Sequence, residues 1–217
     1  MSSFPGSPRL LRGGLVLIDN DTAVVLRIIA LQYNPDTLTR SLQIKGVSGE
    51  SGDHLEALRL KGPPVETIKL EAEIDATDQL EVADGQATKL GIHPQLAVLE
   101  TVVYPASSAL LSNRSDAASG RIEIVPMQGP LTLFIFGPQR IVPVRITEFS
   151  ITEEAFDPSL NPIRAKLSLG MRVLTVDDLG FDGKGGGLFM SYLQAKEQLA
   201  AQSKAGTFGT LGITGIP

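Results

Sequence analysis

RIVPVRITEFSITEEAFDPSLNPIRAKLSLGMRVLTV, residues 140–176, is the stretch that decides the fold. In residues 163–173 apolar side chains alternate with polar ones or glycine, and this period of two predicts a long β-strand. Residues 142–146 also alternate, but the phase shifts before Phe149, which indicates a β-bulge. Between the two halves, Pro158 and Pro162 fix φ and remove amide donors. The stretch therefore predicts a long hairpin with a stiff tip.

Other strands are predicted on both sides of this hairpin. Residues 15–18 and 23–31 are apolar runs joined by the turn-forming sequence DNDT, which predicts a second hairpin. Residues 38–44 continue as an extended segment. Residues 66–75 alternate without a fault, as expected for an antiparallel strand with one solvated face. Two further short strands are predicted at 122–125 and 131–136.

Helices and loops complete the predicted outline. Residues 92–111 show helical spacing that Pro105 must end or kink, with 106–111 as a further turn or two of helix, and 113–120 is predicted to be a surface loop. The glycine-bearing stretch 45–64 is predicted to be a long functional or mobile loop. The sequence GKGGG at 183–187 is interpreted as a linker, followed by an amphipathic helix over 188–202 and an unstructured tail.

These patterns divide the chain into three parts. Residues 1–12 are predicted to be a flexible arm, 13–179 a β domain, and 180–217 a glycine-rich linker with a short helix and tail. The whole is predicted to be β-rich α+β, with one helix flanking a β-barrel or sandwich.

Composition excludes several classes of protein. With no cysteine, neither disulfides nor thiolate metal sites can form. The net charge of −5 comes without a basic block, so nucleic acid is not an expected partner. The N-terminus has no signal-peptide hydrophobic region and no run is long enough to cross a bilayer. We therefore expect no membrane insertion, and a protein of the cytoplasm.

The sequence contains no recognisable set of catalytic groups, which predicts that the chain is not an enzyme. His54 and His93 are too few for a zinc site without cysteine, and the aspartate pairs at 75/78 and 177/178 are interpreted as solvated strand ends. GKGGG lacks the spacing and the following Ser/Thr of a phosphate-binding loop. No catalytic residue, cofactor or metal is predicted. If an enzyme had to be argued, the acidic 45–64 loop with His54 would be the place.

Two segments together resemble a known family. ALQYNPDTLTRSLQ (30–43) and PVRITEFSITEEAFDPSLNPIRAKLSLGMRVL (143–174) resemble the tube-like baseplate protein of contractile injection systems, machines related to phage tails. The resemblance spans about residues 15–178. The residues that carry it, predicted to lie on an assembly surface, are Tyr33, Asn34, Pro35, Phe156, Asp157, Pro158, Asn161, Pro162 and Arg164.

The resemblance implies a fold, a role and a set of partners. It implies a domain similar to the phage tail tube, six copies of which form a ring that joins the central spike or hub to the inner tube and the surrounding baseplate. Sheath or wedge proteins are further implied partners, and the bacterial cytoplasm is the implied place of assembly into a phage-tail-like particle. Family members often carry a LysM module after this domain, but here a glycine-rich stretch, one helix and a tail follow.

Alternative functions stay open at this stage. Within the same class, the chain could be the inner-tube protein or its initiator, although the long loop and the appended tail favour the adaptor. In another class, it could be a small ligand-binding β-sandwich module or enzyme, which predicts a concave pocket with convergent polar groups. Apolar residues in the glycine-rich tail (Phe208, Leu211 and Ile213) suggest a segment that docks on a partner, and an unstructured terminus is the competing interpretation.

Overall fold

A single antiparallel sheet organises the chain. The computed structural model describes residues 11–46, 59–119, 129–204 and 206–216. Within these residues, seven strands pair in the order β2-β1-β5-β6-β7-β4-β3, so that β2 and β3 form the two edges. The predicted β-rich α+β fold is confirmed. The strands are β1 (Gly14–Ile18), β2 (Val25–Ala30), β3 (Leu38–Gln43), β4 (Val65–Asp75), β5 (Leu131–Ile135), β6 (Ile141–Phe156) and β7 (Pro162–Val173).

The helices are more numerous than the flanking helix and the C-terminal helix that the sequence predicts. They are α1 (Thr77–Glu81), α2 (Gly85–Leu90), α3 (His93–Glu100), α4 (Ser107–Ala118), α5 (Val176–Leu179) and α6 (Lys184–Gln202). Pro105 does separate α3 from α4, as predicted. The prediction of a surface loop at 113–120 is wrong for residues 113–118, which belong to α4. This polar stretch contains neither glycine nor proline to break the helix.

The long hairpin is present as predicted. β6 and β7 pair from Val144 and Val173 to Phe156 and Pro162, and the register shifts between Ile146 and Glu148, which confirms the bulge. The apolar residues of β7 predicted to face inward are buried or, for the one nearest the tip, half-buried: Ile163, Ala165, Leu167, Leu169, Met171 and Val173. The hairpin predicted from residues 15–31 is also confirmed as β1 paired with β2.

The sheet is strongly curved. β2 and β4 are five strand positions apart, which in a flat sheet would separate them by about 24 Å. Yet the Gln32 side chain, just after β2, donates from Nε2 to the Asp75 carbonyl oxygen at 2.7 Å and accepts from the Asp75 N–H at 3.1 Å. One side-chain amide therefore joins the ends of two strands that the sheet order keeps apart.

The Gln32 bond pair yields a stability prediction. Gln32→Leu keeps the approximate size of the side chain but leaves the Asp75 N–H and C=O without their partner, so we expect the free energy of unfolding to fall by about 1–2 kcal/mol. Urea unfolding measures this loss, and Gln202→Leu, at the exposed end of α6, is the control. Equal stability of the two variants would show that the bond pair does not stabilise the curved sheet.

Helix α6 begins where a linker is predicted. The interpretation of 183–187 as a linker is wrong, because residues 184–202 are helical and Gly185 and Gly186 are buried. A Cβ built on Gly186 would lie 1.8 Å from the carbonyl oxygen of Gly180, so only glycine lets the helix start this close to the α5 corner. Further along, Phe189 and Tyr192 enter the main core with residues of β4, β6 and β7. The glycines are therefore packing residues.

Three remaining predictions concern loops and the tail. The 45–64 loop closes at its base, where Gly46 bridges to Leu60 and the Lys61 N–H donates to the Lys45 carbonyl oxygen at 2.8 Å. Residues 47–58, with His54, and the strand predicted at 122–125 lie outside the described residues. The prediction of an unstructured tail is wrong for Phe208–Leu211, a short 3-10 helix capped by reciprocal bonds between Thr207 and Thr210.

Candidate assembly interface

The tip of the long hairpin is organised by one carboxylate. Asp157 Oδ1 accepts hydrogen bonds from the backbone N–H groups of Ser159 and Asn161, both at 2.8 Å, and Oδ2 accepts from Asn161 Nδ2 at 2.8 Å. The side-chain and backbone hydrogen bonds from Asn161 hold the pKa of Asp157 below its usual value. Leu160 has a positive φ of 65°. The tip is therefore held in one shape by its own residues.

The base of the tip is anchored to the α2–α3 corner. Asn161 Nδ2 also donates to the Lys89 carbonyl oxygen at 3.2 Å, and the Ile92 N–H donates to the Pro162 carbonyl oxygen at 2.9 Å. With these bonds fixing its base, the tip presents apolar groups to solvent, since Phe156 is 51% exposed and Leu160 is 78% exposed. A rigid projection with apolar ends suits contact with another protein.

The first sequence motif, Tyr33-Asn34-Pro35, stabilises the loop after β2. The Asn34 side chain accepts from the Gly13 N–H at 2.9 Å and donates to the Leu11 carbonyl oxygen at 2.7 Å, which ties the chain before β1 to the loop after β2. Tyr33 and Pro35 line an open, polar groove of about 610 Å³ that also includes outward residues of β4, β6 and β7. Asn34 therefore shapes this loop while its two neighbours face the groove.

Asp75 connects the two motifs. Its carboxylate is bonded by Arg164 Nε at 2.9 Å, while its backbone carries the bond pair to Gln32, the residue before Tyr33. Burial raises the pKa of Asp75, but hydrogen bonds from Thr77 and then Arg164 outweigh it and leave the pKa lowered. The motifs, far apart in sequence, thus meet at one end of β4 and β7. Their predicted role on an assembly surface stays a prediction.

Sequence reasoning missed a buried cluster at the other end of β4. The side chain of Glu66 is only 4% exposed and accepts from Arg40 Nε at 2.7 Å, Tyr192 Oη at 3.0 Å and Lys196 Nζ at 2.9 Å. Lys196 Nζ also lies 4.0 Å from the centre of the Tyr192 ring. These bonds fasten α6 to β3 and β4. The sequence did contain a signal for this burial. Glu66 lies two residues before the inward-facing Ile68, so the alternation of the strand places its side chain on the same face.

The other side chains considered for a catalytic or metal-binding role are paired with cations or lie apart from one another. Asp177 pairs with Lys45 at 3.0 Å and Asp178 with Arg172 at 2.7 Å. His93 is exposed at the start of α3. In the parts of the chain that the structure describes, acidic and histidine side chains form no group of three able to hold a metal ion. No helix within those parts is long and apolar enough to span a bilayer.

Both edges of the sheet expose apolar side chains. On β2 and the residue before it, Val24, Leu26 and Ile28 are exposed, and the one charged residue, Arg27, donates to Thr101 Oγ1 at 3.0 Å. At the β3 edge, Leu42 and Ile44 are exposed, while Arg40 is held by Glu66. Monomeric proteins commonly protect sheet edges with charged residues or proline. Here both edges are suited to contact with another protein.

Comparison with known proteins gives similar solved structures but no matching family. No family model matches the chain, and no curated protein matches it. Two of the solved structures that match share 14% sequence identity with this chain, each over 74% of this chain and 90% of the other. One is the tail of an empty gene transfer agent particle with C6 symmetry, at a TM-score of 0.30, and the other is the virion of a native gene transfer agent particle, at 0.29.

Proposed function

We propose that this chain is a structural, non-enzymatic component of a phage-tail-like particle and that its copies assemble into a ring. In its finer form, the proposal is a six-fold adaptor ring in the baseplate of a contractile injection system, between the central spike or hub and the inner tube. Sheath and wedge proteins are its further proposed neighbours. The proposal has the particle assembled in the bacterial cytoplasm.

The observation that carries the ring is the pair of unlike edges. Identical subunits form a closed ring when a surface on one copy meets a different surface on the next. The β2 edge and the β3 edge are two such surfaces, because they are the first and last strands in the order of one curved sheet. Both expose apolar side chains whose burial against a neighbour is favourable.

Support for the phage-tail class comes from the two sequence motifs and from what they build. Residues 156–162 form a rigid tip with exposed apolar ends, and Tyr33 and Pro35 border a groove beside the same end of the sheet. A ring that joins two different partners needs binding surfaces away from its subunit contacts. The tip and the groove are the proposed surfaces for the spike and the tube.

The ring is tested by the mass of the particle in solution. We expect the protein, alone or mixed with the spike and tube proteins of the same system, to form a species of six copies. Ile28→Lys places a charge on the β2 edge at a side chain that is 71% exposed, so it should abolish the ring without changing the melting temperature of the monomer. Leu111→Lys on α4, at a side chain 65% exposed, is the matched control and should leave the ring intact.

The outcomes separate the alternatives. Wild-type protein that stays monomeric with every partner would overturn the proposal. Rings that stack without limit in the absence of a spike would instead support the inner-tube or tube-initiator role. Equal assembly of Ile28→Lys and Leu111→Lys would keep a ring but remove the β2 edge from its interface.

A further inference from the structure

A narrow gap, here called the seam, separates the end of β2 from the end of β4. Residues 28–32 line one side, residues 72–74 line the other, and residues of α2 and α3 close its inner end around a cavity of about 360 Å³. Of the described residues that line the seam, Glu73 alone is charged. The seam is therefore an apolar slot that opens at the sheet's surface.

Among the residues that the structure describes, none forms a strand beside residues 71–74 of β4 on the seam side. β3 pairs with β4 only from Val65 to Leu70, and residues 71–74 pair with β7 alone. The loop beside them contains Pro35, which has no N–H to donate. At Asp75 the Gln32 side chain takes the place of a strand. An extended segment of another chain could pair with this edge by strand addition.

The seam also contains a buried acceptor without a donor. Gln95, on α3, lines the cavity, and its Oε1 has no hydrogen-bond partner in the described part of the chain. A buried polar atom left in this state costs free energy that an incoming N–H or O–H would recover. An occupant with a peptide backbone or threonine hydroxyls supplies that donor.

The tail, residues 206–216, has the matching chemistry. It carries no charged residue, so it enters an apolar slot without the cost of burying a charge. Its apolar side chains, among them Leu211 and Ile213, are exposed, and Thr214 offers a hydroxyl. From the end of α6, residues 203–216 would span up to about 45 Å when extended, and strand addition requires the 3-10 helix at Phe208–Leu211 to open. None of the described residues 206–216 lines the seam of its own chain.

We propose that the tail of one copy docks in the seam of a second copy, adding a short strand beside residues 71–74 of β4. Leu211 or Ile213 fills the cavity between β2 and α3, and a tail donor bonds to Gln95 Oε1. The inference rests on the proposed ring, which brings copies side by side. In this arrangement the sheet edges bring neighbouring copies together, and the tail then links them.

The absence of cysteine from the chain allows a direct test. Ala30→Cys places a thiol in the lining of the seam, and Ile213→Cys places one on the tail of a copy of different mass. After mixing under assembly conditions and oxidation, we expect a disulfide-linked heterodimer at least about tenfold above the level given by Leu111→Cys with Ile213→Cys, because docking raises the local thiol concentration. Gln95→Met in the seam copy should lower this yield without destabilising the free protein.

Each outcome decides the inference. A heterodimer yield equal to that of the Leu111→Cys control overturns it, and if the ring has its full mass in the same sample, the proposed function stands. In a single chain carrying both Ala30→Cys and Ile213→Cys, an internal disulfide formed in place of the intermolecular one would assign the seam to the chain's own tail and overturn the second-copy assignment. Specific heterodimers without a six-fold particle would keep the docking and reject the ring.

Discussion

Gly186→Ala is expected to lower the free energy of unfolding by about 3 kcal/mol or more, the upper range for a side chain forced into a packed site. The added Cβ would lie 1.8 Å from the carbonyl oxygen of Gly180, which is backbone and cannot rotate away. The first turn of α6 must then move from the α5 corner. Since Phe189 and Tyr192 follow on the same helix, part of the main core loosens with it.

The adjacent residue provides the control. A Cβ on Gly187 meets nothing within 4 Å, so Gly187→Ala should raise stability by up to about 1 kcal/mol through helix propensity. Urea denaturation followed by circular dichroism measures both variants. Two alanine variants of similar stability would mean that α6 does not approach Gly180 this closely in solution.

Glu66→Gln is the second substitution with a large expected effect. It removes the negative charge that Arg40 and Lys196 share inside the structure, and we expect a loss of about 3 kcal/mol, the lower end for breaking a buried ion pair, because both cations still reach solvent. Glu71→Gln, on the exposed face of the same strand, is the control and should change stability by less than about 0.5 kcal/mol.

The same cluster predicts a dependence on pH. Burial raises the pKa of Glu66, but hydrogen bonds and charge from Lys196 and then Arg40 outweigh it, so that the folded-state pKa lies below the usual 4.5. A carboxylate with a depressed pKa stabilises the fold above its unfolded value and loses that contribution as pH falls through the folded value. The stability difference between wild type and Glu66→Gln should therefore be full near neutral pH and shrink below about pH 4.5. A difference that is constant from pH 7 to pH 3 would contradict the assignment.

The strands were predictable because their signal is local. Alternation in residues 66–75 and 163–173 identifies β4 and β7 and tells which side chains enter the core. The bulge in β6 also follows from a visible phase shift. Strands, bulges and turns that depend on period-two alternation and on turn-forming residues can be predicted from one sequence.

What the sequence could not show depends on contacts between distant residues. Glycines at 185 and 186 indicate a linker by composition, and only the nearness of the Gly180 carbonyl explains why they begin a helix. Gln32 and Asn34 give no sign that their amides bond to backbone far along the chain or before β1. The same holds for the candidate interface, since the seam exists only after the sheet has curved.

The order of the strands also bears on the kinetics of folding. β6 and β7 are joined by a short tip, so their pairing closes a small loop, whereas pairing Ile18 of β1 with Leu131 of β5 closes a loop many times longer. Loop-closure entropy favours the short loop first. The long hairpin is therefore the expected nucleus, whereas the β1–β2 hairpin, which pairs with the rest of the sheet through β1 and β5, is expected to dock later. In the proposed ring, the β2 edge would then reach its final position only after the long hairpin has formed, which delays contact between copies until each subunit is folded.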